Sequence, residues 1–361
     1  MNLLNVIEEG KKGKNIGLSF GIKELDIAIG GIHKKKSFAI GAEPKVGKTS
    51  FVDFAFIISP FLNNPDANIE YIYFSTETER VEKEAIFCSH FIYHDYGMEL
   101  GAEYILSRKI DEYGNPVVIS DEHFEHVKAV YNKYIIPLFG EFDGVTGNRL
   151  SKGKIDFIEE RTNPTGVNKY IYNHAKMNGT FVTEKYVVDQ VEHDRIIGYK
   201  PKDESKYTIV VIDHIRGLPH ERGFDKKQNI DKMSEYHVKL RDIFHYTFVF
   251  VAHLNRGSAD IERMKLLKSN LYPGPEQFKD SGNLAEDCSY VITLMSPGDE
   301  KYGLRRHLDV DIDAMSETEK RMYRTLHLVQ ARHTACPQHF KLNFNAPVIN
   351  FKSFNPKEYF F

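Results

Sequence analysis

Residues Ala42, Glu43, Pro44, Lys45, Val46, Gly47, Lys48, Thr49 and Ser50 follow a short apolar run and open a stretch with helical spacing. Glycine, lysine and threonine in that order, between a strand and a helix, suit a polyphosphate. Backbone N–H groups around Gly47 can wrap a β-phosphate at the positive end of the new helix. Lys48 neutralises the β and γ phosphates, and the Thr49 hydroxyl is a ligand for Mg²⁺. The usual first glycine of G-x-x-x-x-G-K-[ST] is Ala42 here, and Gly41 stands one residue out of register.

Such a site needs a carboxylate at the end of a neighbouring strand to hold the metal. The run Tyr207 to Asp213 has four β-branched residues in succession and ends on Asp213, as a buried parallel strand would. A second carboxylate follows the run Tyr71 to Ser75, where Glu77 and Glu79 both compete to be the general base on an attacking water. Spacing alone favours Glu77 only slightly.

The elements that must position these groups are legible as a rhythm. Apolar or aromatic runs at Ser37 to Gly41, Tyr71 to Ser75, Tyr134 to Phe139, Thr208 to Asp213, Thr247 to Leu254, Tyr290 to Met295 and Thr325 to Ala331 read as strands. Helical spacing lies between several of them, at Lys48 to Ile58, His123 to Lys133 and Ile230 to Phe244. Strands alternating with helices predict an α/β fold with a mostly parallel central sheet covered on both faces. His339 to Phe351 alternates apolar and polar residues and reads as an antiparallel edge hairpin. Residues 143–165 read as a long surface loop, and 180–206 as an inserted β-hairpin. Residues 1–16 read as a short amphipathic helix and linker ahead of a domain spanning 17–361.

With 361 residues, 41% of them apolar and 27% charged, the chain can bury a sizeable core. A net charge of −3 advertises no global attraction to nucleic acid, so any such site is local. No apolar run is long enough to span a membrane, and the N-terminus lacks a signal-peptide pattern. Cys88, Cys288 and Cys336 lack metal or disulfide spacing, which points to a reduced, cytoplasmic compartment.

These residues together resemble the RecA-like motor domain of DnaB-type replicative helicases, in order along nearly the whole chain. Ala42-x-Pro-x-x-Gly-Lys-Thr resembles that family's form of the phosphate loop, which accounts for the missing first glycine. Gly21 to Asp26 through Gly30 and Gly31 resembles its lead-in to the first strand, and Ser120 through Leu138 its next segment. Phe74-Ser-Thr-Glu77 is similar to the family's Phe-Ser-Leu-Glu, whose glutamate is the catalytic base; the resemblance therefore implies Glu77 over Glu79. Val211-Ile-Asp213-His-Ile is similar to Val-Ile-Asp-Tyr-Leu, and Val251-Ala-His253-Leu-Asn-Arg256 to Ser-Gln-Leu-Asn-Arg. The glutamine of the latter senses the γ-phosphate, so the resemblance implies that role for His253. Phe278 through Gly282 resembles Leu-Arg-Glu-Ser-Gly, the loop that holds the single strand, implying Lys279, Asp280 and Gly282 as DNA contacts. Arg263, Lys265 and Lys268 form a basic stretch that would extend the channel lining. Val329-Gln330-Ala331-Arg332 resembles a motif ending in the arginine finger, implying that Arg332 reaches a neighbouring subunit's nucleotide.

The resemblance implies ATP and Mg²⁺ as cofactors, single-stranded or forked DNA as substrate, a homo-hexamer, and a primase or helicase loader as partner. A minimal motor with two insertions and no N-terminal helical domain looks more like a bacteriophage enzyme, working in a bacterial host's cytoplasm, than a cellular one. The function expected is a ring helicase moving 5′ to 3′ on one strand. A RecA-like ATPase that remodels DNA without unwinding, and a ring assembled by nucleotide without turnover, are the competing readings. The altered His253, Lys279 and Gln330 favour the remodelling ATPase slightly, and the complete set of phosphate and metal groups argues against the structural ring.

Overall fold

Strands apolar on both faces take the middle of the sheet in this protein, and strands that alternate take its edge. The structure is a computed structural model that describes residues 2–188, 191–254, 268–278 and 282–354. Helix α1 (Leu3–Lys11) is followed by α2 (Lys23–Ile29) and strand β1 (Ser37–Ala42). Helix α3 begins at Lys48–Val52 and runs on through a π-helical turn, Asp53–Ile58, into Ser59–Asn63. Then come β2 (Ile69–Ser75), α4 (Arg80–Tyr96), α5 (Asp121–Val130), β3 (Ile155–Ile158) and α6 (Pro164–Asn178). Strands β4 (Gly179–Val188) and β5 (Val191–Pro201) form a hairpin ahead of β6 (Tyr207–Asp213), α7 (Lys226–Phe244) and β7 (Thr247–His253). Strands β8 (Tyr290–Met295), β9 (Tyr323–Ala331), β10 (Gln338–Asn345) and β11 (Asn350–Ser353) complete the chain.

The main sheet has nine strands in the order β11-β10-β9-β8-β1-β7-β6-β2-β3. The pairs from β8 across to β3 are parallel, and β9, β10 and β11 are added antiparallel. Every residue of β1, β2 and β8 is buried, because helices cover both faces. The pleat sorts side chains by parity. Phe38, Ile40, Tyr71, Tyr73, Ile209 and Val211 join one core, which α3 and α4 cover with Phe51, Phe56, Phe87 and Phe91. Ala39, Ile72, Phe74, Val210 and Ile212 join the other, which α6 and α7 cover with Ile171, Met233 and Leu240. Each large apolar side chain buried this way contributes about 1.5–3 kcal/mol, so a one-residue slip of a central strand would exchange the two sets.

The expected α/β architecture, the parallel sheet and the antiparallel C-terminal strands are present. So is the hairpin: Phe181 of β4 stacks on Phe244 of α7, and Tyr199 of β5 meets the same ring edge-on. Helix α1 is there too, with none of its residues buried.

Two expectations are corrected. Tyr134 to Phe139 is helical, within Tyr131–Ile135 and Ile136–Phe139. Its buried residues Tyr134, Ile135, Leu138 and Phe139 recur at helical spacing on one face, although β-branched and aromatic content suggested a strand. Residues 143–165 are not one loop. Ile155–Ile158 pairs parallel with β2 at the sheet edge, and α6 starts at Pro164, with the Asn163 side chain accepting from the Gly166 N–H at 2.9 Å. Thr325 to Ala331, grouped with the alternating runs, belongs to the antiparallel part. Cys88 and Cys288 are buried and Cys336 is exposed, all three as free thiols. Among the described residues no helix is long and apolar enough to cross a membrane.

Candidate active site

Four neighbouring parallel strands, β1, β7, β6 and β2, end at the same edge of the sheet and carry the candidate residues. Register aligns Ala42 of β1 with His253 of β7, and Asp213 of β6 with Ser75 of β2. The phosphate loop leaves β1 and turns into α3 at Gly47, whose φ of 104° is a left-handed conformation open to glycine. A Cβ at that position would lie 2.7 Å from the ring of Phe344. Arg324 supports the loop from β9 by donating through Nε to the Val46 carbonyl at 2.9 Å. Glu43 is buried, and its Oε2 accepts from Lys301 at 2.6 Å; its place is in the wall of the loop.

Lys48 is half-buried, and burial lowers its pKa against the pull of Asp213 and Glu77. The Thr49 hydroxyl donates to Asp213 Oδ1 at 3.0 Å. An all-oxygen pair of hydroxyl and carboxylate at that separation suits a hard cation such as Mg²⁺, so both proposed metal ligands are together. The other oxygen of Asp213 is committed inside the sheet. Oδ2 accepts from the Tyr73 hydroxyl at 2.8 Å, and that hydroxyl lies 3.1 Å from Asp53 Oδ1. Lys83, fully buried, donates to Asp53 Oδ2 at 2.8 Å and to the Tyr73 oxygen at 2.9 Å. Burial pushes the Asp53 carboxyl up, and the Lys83 charge opposes that rise.

Glu77 follows β2 with its carboxylate mostly exposed. The turn that bears it is clamped to the end of β6. The Thr76 N–H donates to the Asp213 carbonyl at 2.8 Å, and the Thr76 hydroxyl accepts from the His214 N–H at 3.1 Å. Gly217 allows this closeness, since a Cβ there would lie 2.2 Å from Thr76 Oγ1. Glu77, His214 and His253 offer ligand atoms within 4.8 Å of one another. The two imidazoles meet edge-on with centroids 4.2 Å apart. Burial, then repulsion from Lys48, lowers both to about 4, so both are neutral at pH 7. His253 Nδ1 is buried without a hydrogen-bond partner among the described residues, a cost of about 1–3 kcal/mol if left so.

A cavity of about 380 Å³ opens beside α3, lined by Thr49, Ser50, Asp53, Thr78 and Lys83 among others. A larger one, about 460 Å³, lies against β5 and the opposite end of β6, around Lys34, Tyr199 and Thr208.

No family model matches the sequence, and no curated protein matches it. Solved structures do. Over 98% of this chain, the fold superimposes on the solved ATPase domain of a helicase with a TM-score of 0.63 at 16% identity, covering 97% of that chain. It superimposes on a DnaB-like replicative helicase, solved in a study of its interactions with primase, with a TM-score of 0.64 at 15% identity, covering 98% of this chain and 68% of the other. The fold is the RecA-like fold of DnaB-type helicase motors.

In this RecA-like frame Lys48, Thr49, Glu77, Asp213 and His253 gather at one sheet edge, and Arg332 does not. Strand β9 runs antiparallel, so Ala331 pairs with Tyr290, which aligns with Phe38 at the start of β1. Four residues of strand, about 13 Å at 3.3 Å each, separate that level from Ala42. Arg332 is exposed and lies 3.5 Å from the Asp287 carbonyl. Lys268 is exposed, in a short turn at Lys268–Asn270, and Gly282 begins the helix Gly282–Asp287. Arg263, Lys265, Lys279 and Asp280 lie outside the described residues.

Tyr73, Lys83, Thr76, His214 and Arg324 were missed. Asp53 had a signal, as the one charge in the apolar run Phe51 to Leu62. The other five sit in runs whose local pattern carries no sign of their partners.

Proposed function

We propose that this chain is the ATP-hydrolysing motor of a ring-forming DNA helicase. The convergence of Lys48, Thr49, Asp213, Glu77 and His253 at the C-terminal ends of four parallel strands carries the reading. The loop from Ala42 to Ser50 wraps the β-phosphate with its N–H groups, and Lys48 neutralises charge on the β and γ oxygens. Thr49 and Asp213 hold Mg²⁺, which when bound neutralises charge developing between the two phosphates. Glu77 is the general base that orients the water and takes its proton. His253, neutral, donates one hydrogen bond to the γ-phosphate.

Arg332 acts in trans. Its position at the opposite sheet level supports a finger that serves a neighbouring subunit, which makes an oligomer, a homo-hexamer in this reading, necessary for turnover. Helix α1, with Leu3, Leu4 and Ile7 exposed, docks on the adjacent subunit, and 17–361 is the motor domain. Lys268, Gly282 and the basic residues 263, 265 and 279 hold single-stranded DNA through its phosphates, almost independently of sequence. Translocation is 5′ to 3′, with a primase or loader as partner, in the cytoplasm of a bacterial host and on a bacteriophage replication fork.

ATP hydrolysis measured with and without single-stranded DNA, at low salt with Mg²⁺, tests this. About tenfold stimulation is expected, and unwinding of a forked duplex should accompany it. Hydrolysis indifferent to DNA would overturn the helicase in favour of a remodelling ATPase, and no hydrolysis would overturn both.

A further inference from the structure

His214 stands between the proposed base and the proposed sensor. Its ring is held by the strand end that also holds Asp213. Its Nδ1 accepts a hydrogen bond from the Arg216 backbone N–H at 3.2 Å. A ring nitrogen that accepts carries no proton, so in the neutral imidazole the proton sits on Nε2. That Nε2 lies 3.6 Å from Glu77 Oε1.

The same tautomer decides between two uses of the cluster. Two imidazoles and a carboxylate within 4.8 Å of one another have the donor set of a transition-metal site, and 3.6 Å is close to the ligand spacing expected for metal bonds of about 2.0–2.1 Å. A metal on Nε2 would force the proton onto Nδ1, where it would meet the Arg216 N–H head-on. Metal-bound histidines do the opposite and donate their second N–H to a carbonyl or carboxylate. The arrangement favours a proton on Nε2 facing an anion.

We propose that His214 is a positioning residue that donates its Nε2–H to the Glu77 carboxylate and aims it at the attacking water. This rests on the hydrolytic reading above. The carboxylate is 67% exposed and has no other partner among the described residues that would restrain it. His214 itself is rigid: the ring is buried, packed edge-on against His253 at 4.2 Å, and its backbone is tied to Thr76. A small rotation of Glu77 closes 3.6 Å to a hydrogen bond, as catalytic contacts do when a site fills.

Two substitutions separate positioning from support of the turn. His214→Asn keeps an oxygen that can accept from the Arg216 N–H and loses the group facing Glu77. His214→Gln places an amide N–H near the position of Nε2–H. In the full chain with Mg·ATP and single-stranded DNA, His214→Asn should lower kcat about tenfold with KM within about twofold, whereas His214→Gln should stay within about threefold of the parent kcat. In a Glu77→Gln background, His214→Asn should have no further effect. Equal rates for the two variants, or a loss that adds fully to that of Glu77→Gln, would overturn the proposal. Titration with Co²⁺, followed by visible absorption, should give no bound-ion spectrum. A spectrum at one ion per chain that is lost in both His214→Gln and His253→Gln would overturn it as well, in favour of a metal site. If the parent chain does not hydrolyse ATP, the hydrolytic reading fails, and the Co²⁺ result still reports on the cluster.

Discussion

The Tyr73 hydroxyl donates to Asp213 Oδ2 at 2.8 Å, inside the sheet, and leaves Oδ1 to face Thr49 at 3.0 Å. One oxygen of the carboxylate is thereby fixed by the core and the other is presented to the site. Tyr73→Phe keeps the ring and removes the donor, so a hydrogen bond to a charged acceptor, about 1.5–3 kcal/mol, is lost. The expected result is a higher Mg²⁺ concentration for half-maximal hydrolysis with little change in ATP affinity. An unchanged Mg²⁺ dependence would show that Asp213 is oriented by other means.

Lys83 and Asp53 are each 1% exposed and 2.8 Å apart. Removing one partner of such a pair leaves an uncompensated buried charge, at a cost of about 3–5 kcal/mol. Lys83→Met should therefore shift the urea midpoint well down. Replacing both, as Asp53→Leu with Lys83→Met, should recover most of the loss. A double variant no more stable than Lys83→Met would mean that the ion pair is not what the core depends on.

Placement of Arg332 away from its own chain's phosphate loop leads to a mixing experiment. Lys48→Ala and Arg332→Ala should each abolish hydrolysis alone, with Arg332→Ala still binding nucleotide. Mixed and allowed to assemble, they should regain activity, because an interface can then combine Lys48 from one chain with Arg332 from another. Failure of the mixture to recover any turnover would remove Arg332 from the interface.

Acid should destabilise the fold through its buried histidines. His237 packs between Phe248 and Phe250, with neither ring nitrogen bonded among the described residues, and burial lowers its pKa from 6.5 to about 3. Between those values the unfolded chain binds a proton that the native ring refuses, so stability rises with pH across that window. The contribution is complete above pH 6.5 and drains as pH falls toward 3, at up to about 1.4 kcal/mol per pH unit for each such group. The melting temperature should fall from about pH 7 to about pH 5, and His237→Leu should narrow that fall. An equal fall in the variant would assign the acid sensitivity to other groups.

The chemistry readable in the residues is the chemistry encoded over short stretches. Gly47, Lys48 and Thr49 must be consecutive to make a phosphate loop, and Asp213 and Glu77 each stand at or just beyond a recognisable strand end. The parallel order of the central strands was legible for the same reason, since double-sided burial leaves unbroken apolar runs. Tyr134 to Phe139 was not, because a short apolar run satisfies both periods until the neighbours it buries against are known. Ile155–Ile158 was hidden by its length, for it becomes a strand only by pairing with β2.

Tertiary structure alone decided the rest. Nothing near Lys83 announces Asp53, thirty residues earlier, or the Tyr73 hydroxyl that joins both to Asp213. His214 gained its meaning from the register of β6 against β2, which brings Ser75 level with Asp213 and so sets Glu77 beside the ring. Arg332 took its distant position because β9 reverses direction. Local pattern determines which faces of a segment avoid water, whereas register and strand direction are settled by which apolar faces can be buried together, a property of the whole sheet.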